Sequence, residues 1–124
     1  MNRKSQSKSA KSRPARSGSR RGAPPDKRVH VVRCIHALPL GKVSSYGAIA
    51  KAAGWPGAAR QVVRILREVP GLPWHRVVGS GGAIKLGGED GAEQRFRLRM
   101  EGVTFRGMRV DMKLHEFRFK SLRH

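Results

Sequence analysis

Apolar residues first recur in this chain at Val29, Val32, Ile35 and Leu38, an interval that stays on one helix face over so short a length. Asp26 stands where it would cap that helix, predicted over residues 27–37, and Pro39 with Gly41 would stop it. Ser45 then opens a shorter predicted helix, residues 46–53, with Ile49, Ala50 and Ala53 inward. Gly54-Trp55-Pro56-Gly57 reads as a turn. A third helix over 58–68 places Val62, Ile65, Leu66 and Val69 inward and carries Arg60, Arg64 and Arg67 as basic positions. Helix, short glycine-containing turn and basic helix together make the helix-turn-helix outline.

After the connector Pro70-Gly71-Leu72-Pro73 the pattern changes. Residues 74–78 are predicted as a short buried strand, since Val77 and Val78 are β-branched. Gly79-Ser80-Gly81-Gly82 is then a hairpin turn and residues 83–86 the return strand. Asp90 with Glu93 fits a capping box for a helix that runs through Phe96 and Met100 and ends at Gly102. Short strands are expected at 103–105 and 110–112 around Gly107, with residues 114–119 packing back on the body. The predicted fold class is mainly α with short β-hairpins.

Composition adds a tail and a partner. Residues 1–28 hold ten Lys and Arg, one acid and no aromatic residue. Such a segment buries too little apolar surface to offset its ordering entropy, so it is expected to be a disordered basic arm ahead of a folded domain at 29–124. Its Arg/Ser-rich character also suits an organellar transit peptide, but no amphipathic apolar face accompanies it. The whole chain has 27 Lys and Arg against 8 Asp and Glu, a formal net charge of +19 over 124 residues. That balance calls for a polyanion, and nucleic acid is favoured over an anionic membrane surface. No apolar run approaches the roughly 18 residues that span a bilayer. The single cysteine, Cys34, excludes an intramolecular disulfide and fits a small buried hydrophobe. A cytoplasmic, nucleoid-associated monomer is the expectation.

Candidate chemistry is sparse. Ser44, Ser45 and Ser80 lack a Gly-x-Ser-x-Gly setting, and the five histidines show no acidic partner at a telling distance. No metal motif and no cofactor motif emerges, and no Walker lysine follows the glycines at 79–82. Motif spacing favours a nucleic-acid binder over an enzyme.

Four ordered runs then carry a resemblance across about residues 29–103. They are Pro39-Leu40-Gly41-Lys42-Val43-Ser44-Ser45-Tyr46-Gly47-Ala48-Ile49-Ala50, Gly57-Ala58-Ala59-Arg60-Gln61-Val62, Pro73-Trp74-His75-Arg76-Val77-Val78 and Glu101-Gly102-Val103. Together they resemble the O6-alkylguanine-DNA alkyltransferase family, whose active-site strand reads Pro-Cys-His-Arg-Val. Trp74 stands at the position of the reactive cysteine, and an indole cannot accept an alkyl group by displacement. The resemblance is therefore to the alkyltransferase-like proteins of that family. It implies the winged helix-turn-helix-like C-terminal domain of the alkyltransferases. The connector at residues 67–72 is shorter than the family's usual one and lacks its asparagine.

What the resemblance implies is a non-enzymatic sensor of duplex DNA damage. The protein would enter the minor groove, flip O6-alkylguanine into a pocket lined by Trp74, and direct it to nucleotide excision repair proteins. Tyr46, Trp74, Val77 and Ser80 would bind the lesion, with the carbonyls of Trp74 and Val77 accepting from the guanine 2-amino group. Ser45, Gly57, Ala58, Ala59, Arg60, Gln61 and Arg64 would meet DNA, Arg60 filling the gap left by the flipped base. His75, Arg76 and Glu101 would support the pocket. The alternatives are a sequence-specific helix-turn-helix regulator without lesion recognition, or a residual transferase using Cys34.

Overall fold

The computed structural model describes residues 25–120. The expected basic arm falls almost wholly outside this range. Helix α1 spans Pro25–His36, so residues 25–28 belong to the helix. Asp26 sits inside its first turn, where a carboxylate favours the helix dipole, rather than at the cap. Lys27 Nζ reaches the Gly54 carbonyl and Arg28 pairs with Glu68 at 3.0 Å, both tying α1 to the helices after it. The buried positions of α1 and its exit are Val31, Ile35 and Leu38, whereas Val29 is 47% exposed. The three-residue spacing misled here because it drifts with each step. Across the nine residues from Val29 to Leu38 the drift reaches about 180°.

Helix α2 spans Tyr46–Ala52 and buries Ile49 and Ala50. Ser45 caps it, its hydroxyl accepting from the Ala48 N–H at 3.1 Å. Helix α3 spans Ala59–Glu68, with Ala58 at its N-cap and Val62 and Ile65 buried. The three helices enclose the main core, completed by Leu72 and Val77. Replacing Ser45 with alanine should lower stability by about 1 kcal/mol, the usual worth of such a cap, as read by thermal denaturation.

The segment expected as a hairpin is built differently. Trp74–Arg76 is a turn of 3-10 helix, and only Val77–Val78 is extended, as strand β2. Its partner is strand β1, Ser44–Ser45, paired in parallel with Ser44 opposite Val77 and Ser45 opposite Val78. The predicted return strand at 83–86 does not pair with it; a second 3-10 turn, Ser80–Gly82, follows, and Ala83 makes one bridge to Arg109. The two valines explain the choice. Side chains alternate along a strand, and Val77 enters the main core while Val78 enters a second cluster with Val43, Leu98, Val103 and Val110.

Helix α4 spans Gly88–Met100 with Gly87 at its N-cap, so Asp90 lies in its first turn and the capping box does not form. The helix buries Gly91, Gln94 and Leu98. Gly91 is required because a Cβ there would come within 2.3 Å of the Leu86 carbonyl oxygen. Strands β3, Phe105–Arg106, and β4, Arg109–Val110, form the expected antiparallel hairpin around Gly107, displaced by one or two residues from the predicted bounds. A last turn of helix, α5, spans Met112–His115. Phe117 and Phe119 pack edge to face against each other and onto the main core, but Leu114 points to solvent. The predicted packing of 114–119 thus holds only at its C-terminal end. No helix among the described residues is long and apolar enough to cross a membrane.

Candidate functional site

The β1–β2 pair decides which side chains meet. Ser45 both pairs with Val78 and caps α2, so the first residue of α2, Tyr46, is brought beside the chain that leaves Trp74. Between them lies a cleft of about 450 Å3, lined by Tyr46, Val63, Leu66, Arg67, Trp74, Leu86 and Asp90. Despite the short connector, α3 therefore contributes its Val63–Arg67 stretch to the same cavity as Trp74. Burial pushes the Tyr46 hydroxyl up from its ordinary value, with Arg67 nearby working against that rise, so the phenol stays a neutral donor.

Trp74 is held from its outer side. The Arg97 guanidinium carbon lies 5.5 Å from the indole centroid, and Arg97 Nε is fixed by Glu93 at 2.7 Å one turn away. The His75 ring stands nearly perpendicular to the indole at 6.3 Å. An exposed cation over an indole is worth about 0.5–1 kcal/mol. Arg97→Ala should therefore red-shift Trp74 emission, measured in a Trp55→Phe background, while costing no more than about 1 kcal/mol of stability.

Behind the cleft, Glu101 gathers the neighbouring donors. Its carboxylate accepts from His75 Nε2 at 2.7 Å, from Arg76 Nε and Nη2 at 3.0 and 2.8 Å, and from the Gly41 N–H at 3.1 Å. Arg76 Nη1 also donates to the Leu38 carbonyl at 2.9 Å, joining the network to the exit of α1. Burial alone would raise the Glu101 pKa, but the bonds from Arg76, His75 and Gly41 outweigh it and hold the carboxyl at about 2. His75 Nδ1, on the far side of the ring, is buried without a partner.

Gln94 fastens the same segment from α4, its Nε2 donating to the carbonyls of His75 at 3.2 Å and Val77 at 2.9 Å. The Trp74 carbonyl accepts from the Val77 N–H. Both carbonyls expected to meet a guanine amino group thus already accept an internal hydrogen bond, and a carbonyl oxygen carries two lone pairs.

The remaining expected residues divide by place. Arg60, Arg64 and Gly57 are exposed, Gly57 at φ 84°, and Ala59 and Gln61 are half-buried at the start of α3. Ala58 belongs to the main core, and the Ser45 hydroxyl is engaged as a cap. Val77 is 1% exposed and Ser80 lies outside the cleft, its carbonyl accepting from Arg109. Val63, Leu86 and Asp90 line the cleft with no sign of it in the sequence, and Arg67, which the sequence marks only as a basic position of α3, lines it too. Asp90 resembled a cap, and nothing local marks Leu86. Cys34 is half-buried on α1 against the main core, where burial raises its thiol pKa and disfavours the thiolate.

Residues 26–103 match the family described as "6-O-methylguanine DNA methyltransferase, DNA binding domain". The chain is 47% identical over 78 residues to a DNA base-flipping protein of Vibrio parahaemolyticus, covering 60% of this chain and 78% of that one. It is 42% identical over 93 residues to the DNA base-flipping protein of Escherichia coli, covering 72% of each. Its fold matches that of S. pombe Atl1, solved in complex with damaged DNA containing O6-carboxymethylguanine, with a TM-score of 0.65 and 30% identity over 78% of this chain and 99% of that one. The chain belongs to the 6-O-methylguanine DNA methyltransferase family, among its alkyltransferase-like members.

Proposed function

We infer that this protein recognises alkylated guanine in duplex DNA and does not repair it. The observation that carries this reading is the shared cleft of Tyr46 and Trp74, set against the helix that bears Arg60. Its volume of about 450 Å3 is within the range of cavities that enclose a small ligand, roughly 300–1,000 Å3. Apolar walls from Val63, Leu66 and Leu86 suit a base with an alkyl substituent, and the Tyr46 hydroxyl and Arg67 supply donors at its edge. The α2–α3 unit would dock in the minor groove, whose degenerate base code suits a protein that must find damage in any sequence.

Neither candidate nucleophile serves transfer. Trp74 has no thiol, and Cys34 sits on a helix of the main core with its thiolate disfavoured. A bound lesion must therefore be removed by other proteins, and excision repair is the class of reaction that removes an intact alkylated nucleotide. The carbonyls of Trp74 and Val77 would also accept from the guanine 2-amino group.

The test is a binding titration of one duplex carrying guanine or O6-methylguanine at a single position. A clear preference for the lesion is expected. Equal affinities would sink the sensor reading, and affinity that followed the surrounding sequence would favour a helix-turn-helix regulator.

A further inference from the structure

One face of α4 carries large apolar side chains that nothing among the described residues covers. Phe96 is 58% exposed and Met100 is 72% exposed. Ala92, also exposed, precedes them at the same four-residue spacing, so the three lie on successive turns opposite the buried Gly91, Gln94 and Leu98. The loop before β1 brings a further exposed apolar side chain near the C-terminal end of α4. The Gly41 N–H donates to Glu101 Oε1 at 3.1 Å, which brings that loop against the end of α4, and the neighbouring Leu40 is 69% exposed.

The edges of this ridge are positive and fixed. Arg97 lies over Trp74 on one side, and Arg99 lies over the Phe105 ring at 5.0 Å on the other. Of the acids on this side of α4, Glu93 is paired with Arg97, and Glu89 lies exposed in the first turn at the far end of the ridge. We propose that this face of α4 is a docking surface for an acidic, amphipathic segment of a partner protein, its apolar side chains seated on Phe96, Met100 and Leu40 and its carboxylates meeting Arg97 and Arg99.

Charge selects that occupant over the others available. A second copy placed face to face would bring Arg97 and Arg99 of both chains together, and like charges at an interface are unfavourable. The chain's own ends are no better suited: residues 1–24 carry eight Lys and Arg with no acid, and residues 121–124 carry Arg123 with no acid. DNA would gain from the arginines, but it uses apolar side chains only as wedges between base steps, and a ridge running along successive turns of a helix is not a wedge. An amphipathic helix laid on an apolar strip satisfies both features at once. The surface also lies on α4, which packs on the Trp74–Arg76 turn and leaves the exposed residues of α3 free for DNA.

The inference does not depend on lesion recognition and is tested separately from it. The probe is a fluorescein-labelled amphipathic peptide of Glu and Leu residues, followed by anisotropy with the full chain. A scrambled peptide of the same composition, with no apolar face, is the control. The amphipathic peptide should bind more tightly than the scrambled one, and Phe96→Ser combined with Met100→Ser should weaken it by about tenfold or more, the effect of removing interface anchors. Binding to undamaged duplex should not change in that variant. Arg99→Glu, an exposed substitution, should weaken the acidic peptide and favour a Lys-for-Glu counterpart. Equal binding of the two acidic peptides, or no effect of either variant, would overturn the proposal by reducing it to general attraction of polyanions. Self-association in sedimentation velocity that disappears with Phe96→Ser and Met100→Ser would overturn it in favour of a second copy.

Discussion

Glu101→Gln is expected to lower the unfolding free energy by about 3 kcal/mol at pH 7, because a fall of the carboxyl from its ordinary 4.5 to about 2 corresponds to that differential interaction. The carboxylate is 13% exposed and Arg76 18%, so solvent screens their interaction little. Once the charge is gone, the Arg76 guanidinium stays in place with its main counter-ion lost, which is the costly outcome for a partly buried pair. A loss of that size corresponds to roughly 10–20 °C in melting temperature for a domain of about 100 residues. Its pH dependence has a definite sign. The folded-state pKa is depressed, so the stabilisation is fully present above about 4.5 and is lost as pH falls towards about 2. Thermal melts of the two proteins should therefore differ most near neutrality and converge between pH 4 and pH 2. Identical melts at pH 7 would show that the network contributes no net stability.

Arg60→Ala should remove most of the preference for O6-methylguanine while leaving the fold unchanged. Extruding a base from the stack costs on the order of a few kcal/mol, and something must fill the gap and satisfy the orphaned partner. Arg60 is exposed in the first turn of α3, pairs with no acid among the described residues and has a planar, bidentate head suited to both tasks. Its loss should weaken binding to the lesion duplex by about 10- to 100-fold, equivalent to about 1.4–2.8 kcal/mol, a size typical of a truncated interface hot spot. Binding to undamaged duplex should fall far less, by the share of one phosphate-facing charge. Equal losses on both duplexes would reduce Arg60 to a non-specific contact. An unchanged melting temperature would confirm that the loss is one of recognition.

The helices were legible because each carries its own signal. Ser45 caps and Ile49 and Ala50 point inward as the sequence predicts, since a cap and an apolar face are set by residues within a turn or two. The errors have the same physical origin. Val29 was placed inside because apolar identity alone cannot show how far a three-residue repeat drifts round the helix, and only packing against α2 and α3 selects Val31 and Ile35. Asp90 carried a capping pattern, yet the helix starts earlier, at Gly88 after Gly87, and seats Gly91 against the Leu86 carbonyl, a contact that only a residue without a Cβ allows.

By itself the sequence determined the three-helix unit, the basic character and the absence of a nucleophile at Trp74, all properties carried by single residues or by spacings of a few positions. Only the tertiary structure decided that Val77–Val78 pairs in parallel with Ser44–Ser45 rather than with the chain just after it. Parallel pairing joins segments more than thirty residues apart, and no local period announces it. That pairing places Tyr46 across a cleft from Trp74 and brings Leu86, Arg67 and Asp90 to its walls. It also sets the Glu101 carboxylate where His75, Arg76 and Gly41 can all donate to it. Each of these groups is ordinary in its own stretch of chain, and the site exists because two short strands bury Val77 and Val78 in different cores.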